Sequence, residues 1–402
     1  MSQATLKNII IYPIKSSAGI ELSNSWVEEF GLAFDRRFVV ASPDGEFFTA
    51  RTQPSLCLLQ ANLTATGMII TAPKMPALVI DYNLLSLNYV DVQVWNDTIS
   101  AQQCEDAINQ WFSRYLQKPC QLLFFGTESQ RFVKNKNSQV GFADGYPLLL
   151  ISQASLDHLN SQYPPNARSI PMSQFRPNIV VSDCDAFTED TWQKIRIGEV
   201  EFEVTKPCTR CIFTTINPEN AVKDHQQEPL KTLKNYRQIA NGDILFGQNL
   251  VALNQGQIKR GDKLEVLRYQ AAPVFALAEK STAPTDNNGL SIKEKAAQLQ
   301  PVTKKKPLIT FSRFNKSVTG NNTENLLEQG ENAGLVLPYS CRAGMCGSCK
   351  VMLEEGQVTE TCQDGLSDEE QQQGYILSCC STPLTDVVIR HPERKRRNRH
   401  ND

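Results

Sequence analysis

Four cysteines near the carboxy-terminal end constrain this chain more than any other feature. Cys341, Cys346 and Cys349 form a C-x4-C-x2-C run within "PYSCRAGMCGSCKV", and Cys379 follows in "YILSCCSTP" after 29 intervening residues. Thiolates at this spacing suit a pair of irons held by four sulfur ligands. A loop that turns its amides toward such a centre needs backbone freedom, which Gly344 and Gly347 supply. A four-cysteine zinc site is disfavoured, because it is ordinarily built from paired C-x2-C knuckles.

With 402 residues, the chain is long enough for two or three cores. Its net charge of -2 and 41% hydrophobic content describe a globular protein with no bias toward nucleic acid. No run reaches the roughly 18 apolar residues of a membrane span, and "MSQATLKNIIIYPIKS" lacks the pattern of a signal peptide. The expectation is therefore a cytoplasmic protein with no membrane and no nucleic-acid partner. In that reducing setting, 12 cysteines with six of them after residue 340 point to metal ligation rather than disulfides. The four histidines, at 158, 225, 391 and 400, have no ligand-like pairing.

Residues 5–100 read as strands broken by turn signals, and 102–118, "QQCEDAINQWFSRYLQK", reads as an amphipathic helix. A second helix is expected after Ser152, which can cap it, and strands return over 175–268, including "CIFTTI". The stretch 269–306, rich in Ala, Pro and Lys, reads as a linker. Beyond it, "PLITFSRF", "TENLLEQGENAG" and "CKVMLEEGQV" suggest a small strand–helix–strand unit, and the basic tail 393–402 reads as disordered.

A second cysteine pair stands alone. Cys208 and Cys211 lie in "TKPCTRCIFTTIN" with no further C-x2-C or histidine pair nearby to complete a zinc site. A thioredoxin-type dithiol would sit at a helix amino terminus, yet the β-branched residues that follow read as a strand. A buried inert pair and a thiolate ligand for a heavier redox metal both stay open.

Two resemblances resolve these motifs. The cysteine spacing makes residues 307–392 similar to plant-type ferredoxin domains, which implies a β-grasp fold and a [2Fe-2S] cluster on Cys341, Cys346, Cys349 and Cys379. "ILSC" resembles that family's closing motif and favours Cys379 over Cys380. The segments "YPIKSSAG", "FDRRFVV", "TART", "FRPNIVVS", "PCTRCIFTTINPENA" and "EPLKTLKNYR" together resemble the MOSC family, named for the molybdenum cofactor sulfurase carboxy-terminal domain. They are most similar to its YcbX-type members, which join MOSC to a ferredoxin domain, and to the mitochondrial amidoxime reducing component. The implied fold is multi-domain, β-rich α+β: an N-terminal β-barrel-like domain over 1–120, a MOSC β-barrel over 121–268, and the ferredoxin domain after the linker.

The MOSC resemblance implies that Cys211 ligates molybdenum, with the cofactor's own dithiolene supplying further sulfurs. It places Lys15, Ser16, Arg36, Asp144, Arg176, Asn178, Thr209 and Arg210 around the molybdopterin, whose phosphate calls for guanidinium and ammonium groups. Gln174 and Asn249 depart from the relatives' pattern. The implied activity is reduction of N-hydroxylated small molecules, such as hydroxylaminopurines and amidoximes, by an enzyme fed from an external flavin-containing NAD(P)H reductase. No dinucleotide fingerprint follows a strand here, which is why the reductase is expected to be separate. The alternatives are a sulfur or cofactor carrier using Cys211, and a ferredoxin fused to a docking module.

Overall fold

In the computed structural model, Leu6, Ile9 and Ile11 of the strand Thr5–Ile11 enter one buried cluster. A register shift between Leu6 and Asn8 brings them to the same side, as a β-bulge does. The structure describes residues 4–134, 136–164, 168–239, 243–275, 306–322, 324–335, 337–339, 344, 347–360, 363 and 365–392. It divides into two units: Met1–Ile239 with Ile244–Val274, and a second that carries the chain from Phe275 onward.

The first unit is built on an eight-stranded sheet, in the order Leu264–Tyr269, Trp192–Ile197, Val200–Thr209, Leu245–Ala252, Leu148–Ser152, Ile179–Ser182, Thr5–Ile11 and Ile20–Leu22. Backbone bonds from Leu6 N to Asp262 O and from Leu264 N to Ala4 O, each 2.8 Å, tie the first strand to the far edge. The sheet thereby rolls into a barrel, which removes an exposed edge. Ile195, Ile197, Phe202, Val204 and Leu250 join the cluster begun by Leu6. Leu149 and Ile151, which alternate with the inward Leu148 and Leu150, pack together with Phe246 against Leu156, Leu159 and Leu233 from the helices Gln153–Ser161 and Leu230–Arg237. Ser152 caps the first of these helices through its Oγ, which accepts from Ser155 N at 3.0 Å.

A four-stranded sheet, ordered Phe38–Ala41, Gln121–Phe124, Asp97–Gln103 and Tyr89–Val94, packs beside the helix Asp106–Leu116. That helix is shorter than the expected 102–118, because Gln102 and Gln103 are paired into the sheet opposite Phe124 and Leu123. "CIFTTI" also departs from expectation. Ile212–Thr215 forms a 3-10 turn rather than a strand, since the Thr214 and Thr215 hydroxyls donate back to the Cys211 and Ile212 carbonyls at 2.9 and 2.7 Å.

The second unit carries a five-stranded sheet, ordered Lys316–Thr319, Leu308–Phe311, Val387–Arg390, Lys350–Glu355 and Tyr375–Leu377. Leu308–Phe311 and Val387–Arg390 run parallel, and the helix Leu326–Asn332, capped by Asn325, packs Leu326 and Leu327 into the same core. This is a β-grasp arrangement. Most of the expected linker, 276–305, and the basic tail lie outside the described residues. Among the described residues no helix is long and apolar enough to cross a membrane.

Candidate functional site

The turn that follows the strand Thr5–Ile11 carries the first cation. Lys15 N is held by Phe38 O at 2.8 Å, and Ser16 adopts a left-handed backbone at φ 74°. Lys15 Nζ donates to Phe142 O at 2.7 Å and Asp144 Oδ1 at 2.5 Å, with the Phe47 and Trp95 rings 5.4 and 5.7 Å away. Burial lowers the Lys15 amine to about 8, although Asp144 pulls the other way. Desolvation in turn pushes the Asp144 carboxyl upward, but Lys15 and Arg51 outweigh it and hold that group well below the usual carboxylate range. Ser16 Oγ accepts from Ala50 N at 3.1 Å, which anchors the loop bearing Arg51 to this turn.

Tyr12 organises a second tier. The guanidinium carbons of Arg36 and Arg176 both lie over its ring, 4.6 and 4.0 Å from the centroid. Asp35 receives Tyr12 N at 2.8 Å through one oxygen and Arg36 Nη1 at 2.6 Å through the other. Arg36 Nη1 also donates to Asn178 Oδ1 at 2.9 Å, and the fully buried Asn178 returns Nδ2 to Ile10 O at 3.0 Å. Arg176 donates to Ser17 O, while Arg210 donates to Phe246 O at 2.7 Å and Phe175 O at 3.1 Å. Nη2 of both Arg176 and Arg210 is buried without a hydrogen-bond partner. Arg36 and Arg176, like Ser16, hold positive φ, at 46° and 56°. Such backbone strain in non-glycine residues tends to gather at binding sites.

Cys211 begins the 3-10 turn at the end of the strand that carries Thr209, itself opposite Leu245. Arg51 aims two donors at its sulfur, Nε at 3.3 Å and Nη2 at 3.2 Å. Gln174 braces the same turn by donating to Thr214 O at 2.7 Å. Cys208 faces elsewhere: it packs against the apolar cluster of Leu149, Phe175 and Phe246, and burial pushes its thiol up. The structure thus gathers Lys15, Ser16, Arg36, Asp144, Arg176, Asn178, Arg210 and Cys211 into one connected network. Five cations, Lys15, Arg36, Arg51, Arg176 and Arg210, are set in it against two carboxylates, Asp35 and Asp144. Such a surplus of buried positive charge suits an anionic ligand.

Arg51, Tyr12, Asp35, Trp95 and Phe213 complete this network without having been singled out from sequence. Arg51 lies in "TART", but its contact with Cys211 spans 160 positions, which no local pattern encodes. In the second unit, Cys349 and Cys379 sulfurs stand 3.1 Å apart, with Cys380 Sγ 3.7 Å from Cys379 Sγ. Gly347 has φ 66°, and a Cβ there would come within 2.6 Å of Gly365 O, so the bend beside Cys349 requires glycine. Cys341 and Cys346 lie outside the described residues.

Comparison with known proteins agrees with both units. Family models match the MOSC N-terminal beta barrel domain over 3–119, the MOSC domain over 137–265, and the 2Fe-2S iron-sulfur cluster binding domain over 309–384. The chain is 34% identical over 280 residues to the mitochondrial amidoxime reducing component 2 of Rattus norvegicus, covering 64% of this chain and 82% of that protein. It is 32% identical over 283 residues to the mitochondrial amidoxime-reducing component 1 of Homo sapiens, covering 65% and 83%. The chain belongs to the MOSC family of the amidoxime-reducing-component type, with a 2Fe-2S domain joined at its carboxy-terminal side.

Proposed function

We propose that this protein is a cytoplasmic molybdenum-cofactor oxidoreductase that reduces N-hydroxylated compounds, such as amidoximes and hydroxylaminopurines, with electrons drawn through its own 2Fe-2S domain. The observation that carries this reading is the cation-rich network around Cys211, with two buried guanidinium nitrogens left unpartnered. A phosphate-bearing pterin dithiolene is an anion that offers acceptors to such donors, so these residues fit it. Lys15, Ser16, Arg36, Asp144, Arg176, Asn178, Thr209 and Arg210 would hold it, and Cys211 would ligate its metal. When bound, molybdenum supplies a two-electron centre for cleaving an N–O bond.

The chain's own part is electrostatic. Aromatic rings of Tyr12, Phe47, Trp95 and Phe213 lie 4.0–5.9 Å from the cations, and Lys15 and Arg51 are themselves buried, so these charges act at lower effective dielectric than in water. Asp35 and Asp144 fix the cations in place without cancelling them. Overall, an N-hydroxy group with two electrons and two protons yields the N–H compound and water. Cys341, Cys346, Cys349 and Cys379 would hold a [2Fe-2S] cluster, which would supply electrons singly and whose type can lie near roughly -400 mV. An external flavin-containing NAD(P)H reductase would refill it.

Metal analysis of the purified protein tests this reading, with molybdenum to iron near one to two expected. Cys211→Ser should lose molybdenum and N-reduction yet keep the iron–sulfur visible spectrum, whereas Cys208→Ser should retain both metals. Iron without molybdenum in the wild type would overturn the proposal in favour of a docking module. Full N-reduction by Cys211→Ser would equally overturn the ligand assignment.

A further inference from the structure

A thiolate that ligates a metal donates electron density to it, and hydrogen bonds to that sulfur withdraw part of the donation. The same lever tunes iron–sulfur clusters and other metal sites. Cys211 has such donors already in place before any cofactor is considered. Nε and Nη2 of Arg51 reach its sulfur at 3.3 and 3.2 Å.

The guanidinium is not a loose surface group, since its side chain is only 3% exposed. Nη2 also donates to Asp144 Oδ2 at 3.2 Å. Its Cζ lies 4.9 Å from the Trp95 ring and 5.9 Å from the Phe213 ring, and its backbone N donates to Thr49 Oγ1 at 3.2 Å. A planar fork held on these sides keeps two N–H vectors on one sulfur, which a lysine ammonium cannot reproduce.

Resting on the reading of Cys211 as the metal ligand, we propose that Arg51 is a positioning residue that fixes the Cys211 sulfur and limits its electron donation to the metal through two N–H···S bonds. The residue comes from the amino-terminal barrel segment and the sulfur from the MOSC segment. The two segments would therefore share one ligand environment.

The test compares full-length wild type, Arg51→Met and Arg51→Lys by molybdenum content, redox titration and the Mo(V) electron paramagnetic resonance signal. Losing both donors should make the metal harder to reduce, moving the one-electron oxidised-to-reduced ratio at fixed poise about tenfold toward oxidised, which corresponds to about 59 mV. Arg51→Met should also shift the resonance g-values, and Arg51→Lys should fall between it and wild type. If Arg51→Met folds without taking up molybdenum while Arg51→Lys loads it, the role in holding the ligand is likewise supported. Arg51→Met with full molybdenum, wild-type potential and wild-type signal would overturn the proposal, as would Arg51→Lys matching Arg51→Met in every readout. Cys211→Ser serves as the control: if it kept the metal and the wild-type signal, the ligand assignment would fall and the Arg51 proposal with it.

Discussion

Lys15, proposed to hold an anionic cofactor, is buried at the expense of folding. Its amine titrates near 8 in the folded chain, against 10.5 for a free lysine. Between these values the unfolded chain binds the proton more tightly, so this group's contribution to stability rises with pH from about 8 to 10.5 and is least favourable below 8. Anion binding runs the other way, because the charge that attracts the anion disappears above 8. For cofactor-free protein, calorimetric affinity for inorganic phosphate should fall by up to about tenfold per pH unit above that point. Lys15→Arg should flatten the dependence, since a guanidinium stays charged throughout. An unchanged pH profile in that variant would mean that Lys15 is not the titrating contact. In the sequence these residues were marked by the MOSC resemblance, which implied cationic groups around a phosphate-bearing cofactor.

Elements decide where those residues meet. The helix Leu230–Arg237 is tied to the barrel by a buried ion pair, Arg237 Nη1 to Asp190 Oδ2 at 2.7 Å and Nη2 to Oδ1 at 3.1 Å, with both side chains 3% exposed. Gln248 adds a bond to the same carboxylate at 2.6 Å. Asp190→Ala would leave Arg237 charged and buried, a loss of about 3–5 kcal/mol. All four tryptophans lie in the first unit, so denaturant unfolding followed by tryptophan emission reads this cost directly. A loss below about 1 kcal/mol would show that water or a neighbour replaces the carboxylate. Strand-rich spans broken by turn signals were readable, and Ser152 announced its helix. The 3-10 turn after Cys211 was not readable, because its β-branched residues favour extended structure until the Thr214 and Thr215 hydroxyls find carbonyls to bond. The late start of the expected 102–118 helix, at Asp106, has a similar cause: a sheet partner for Gln102 and Gln103 outweighed local helix periodicity.

On the scale of the whole molecule, the two units predict separable losses. Cys379→Ser should remove or strongly perturb the iron–sulfur spectrum while leaving tryptophan-monitored unfolding of the first unit unchanged. Cys380→Ser should keep the cluster, although its sulfur lies 3.7 Å from that of Cys379. Iron content that falls in Cys380→Ser and not in Cys379→Ser would reassign the fourth ligand. The sequence alone determined the β-rich character and, through cysteine spacing that resembles plant-type ferredoxins, the presence of a 2Fe-2S-type unit, because strand-forming runs and cysteine spacing are local patterns whose physics acts within a few residues. The tertiary structure alone decided that Thr5–Ile11 closes the MOSC barrel, that two guanidiniums share the Tyr12 ring, and that Arg51 points at Cys211. Apart from the pairing of Tyr12 with Arg36, those contacts join positions more than a hundred apart, and they form only when burial of the barrel core brings the segments together.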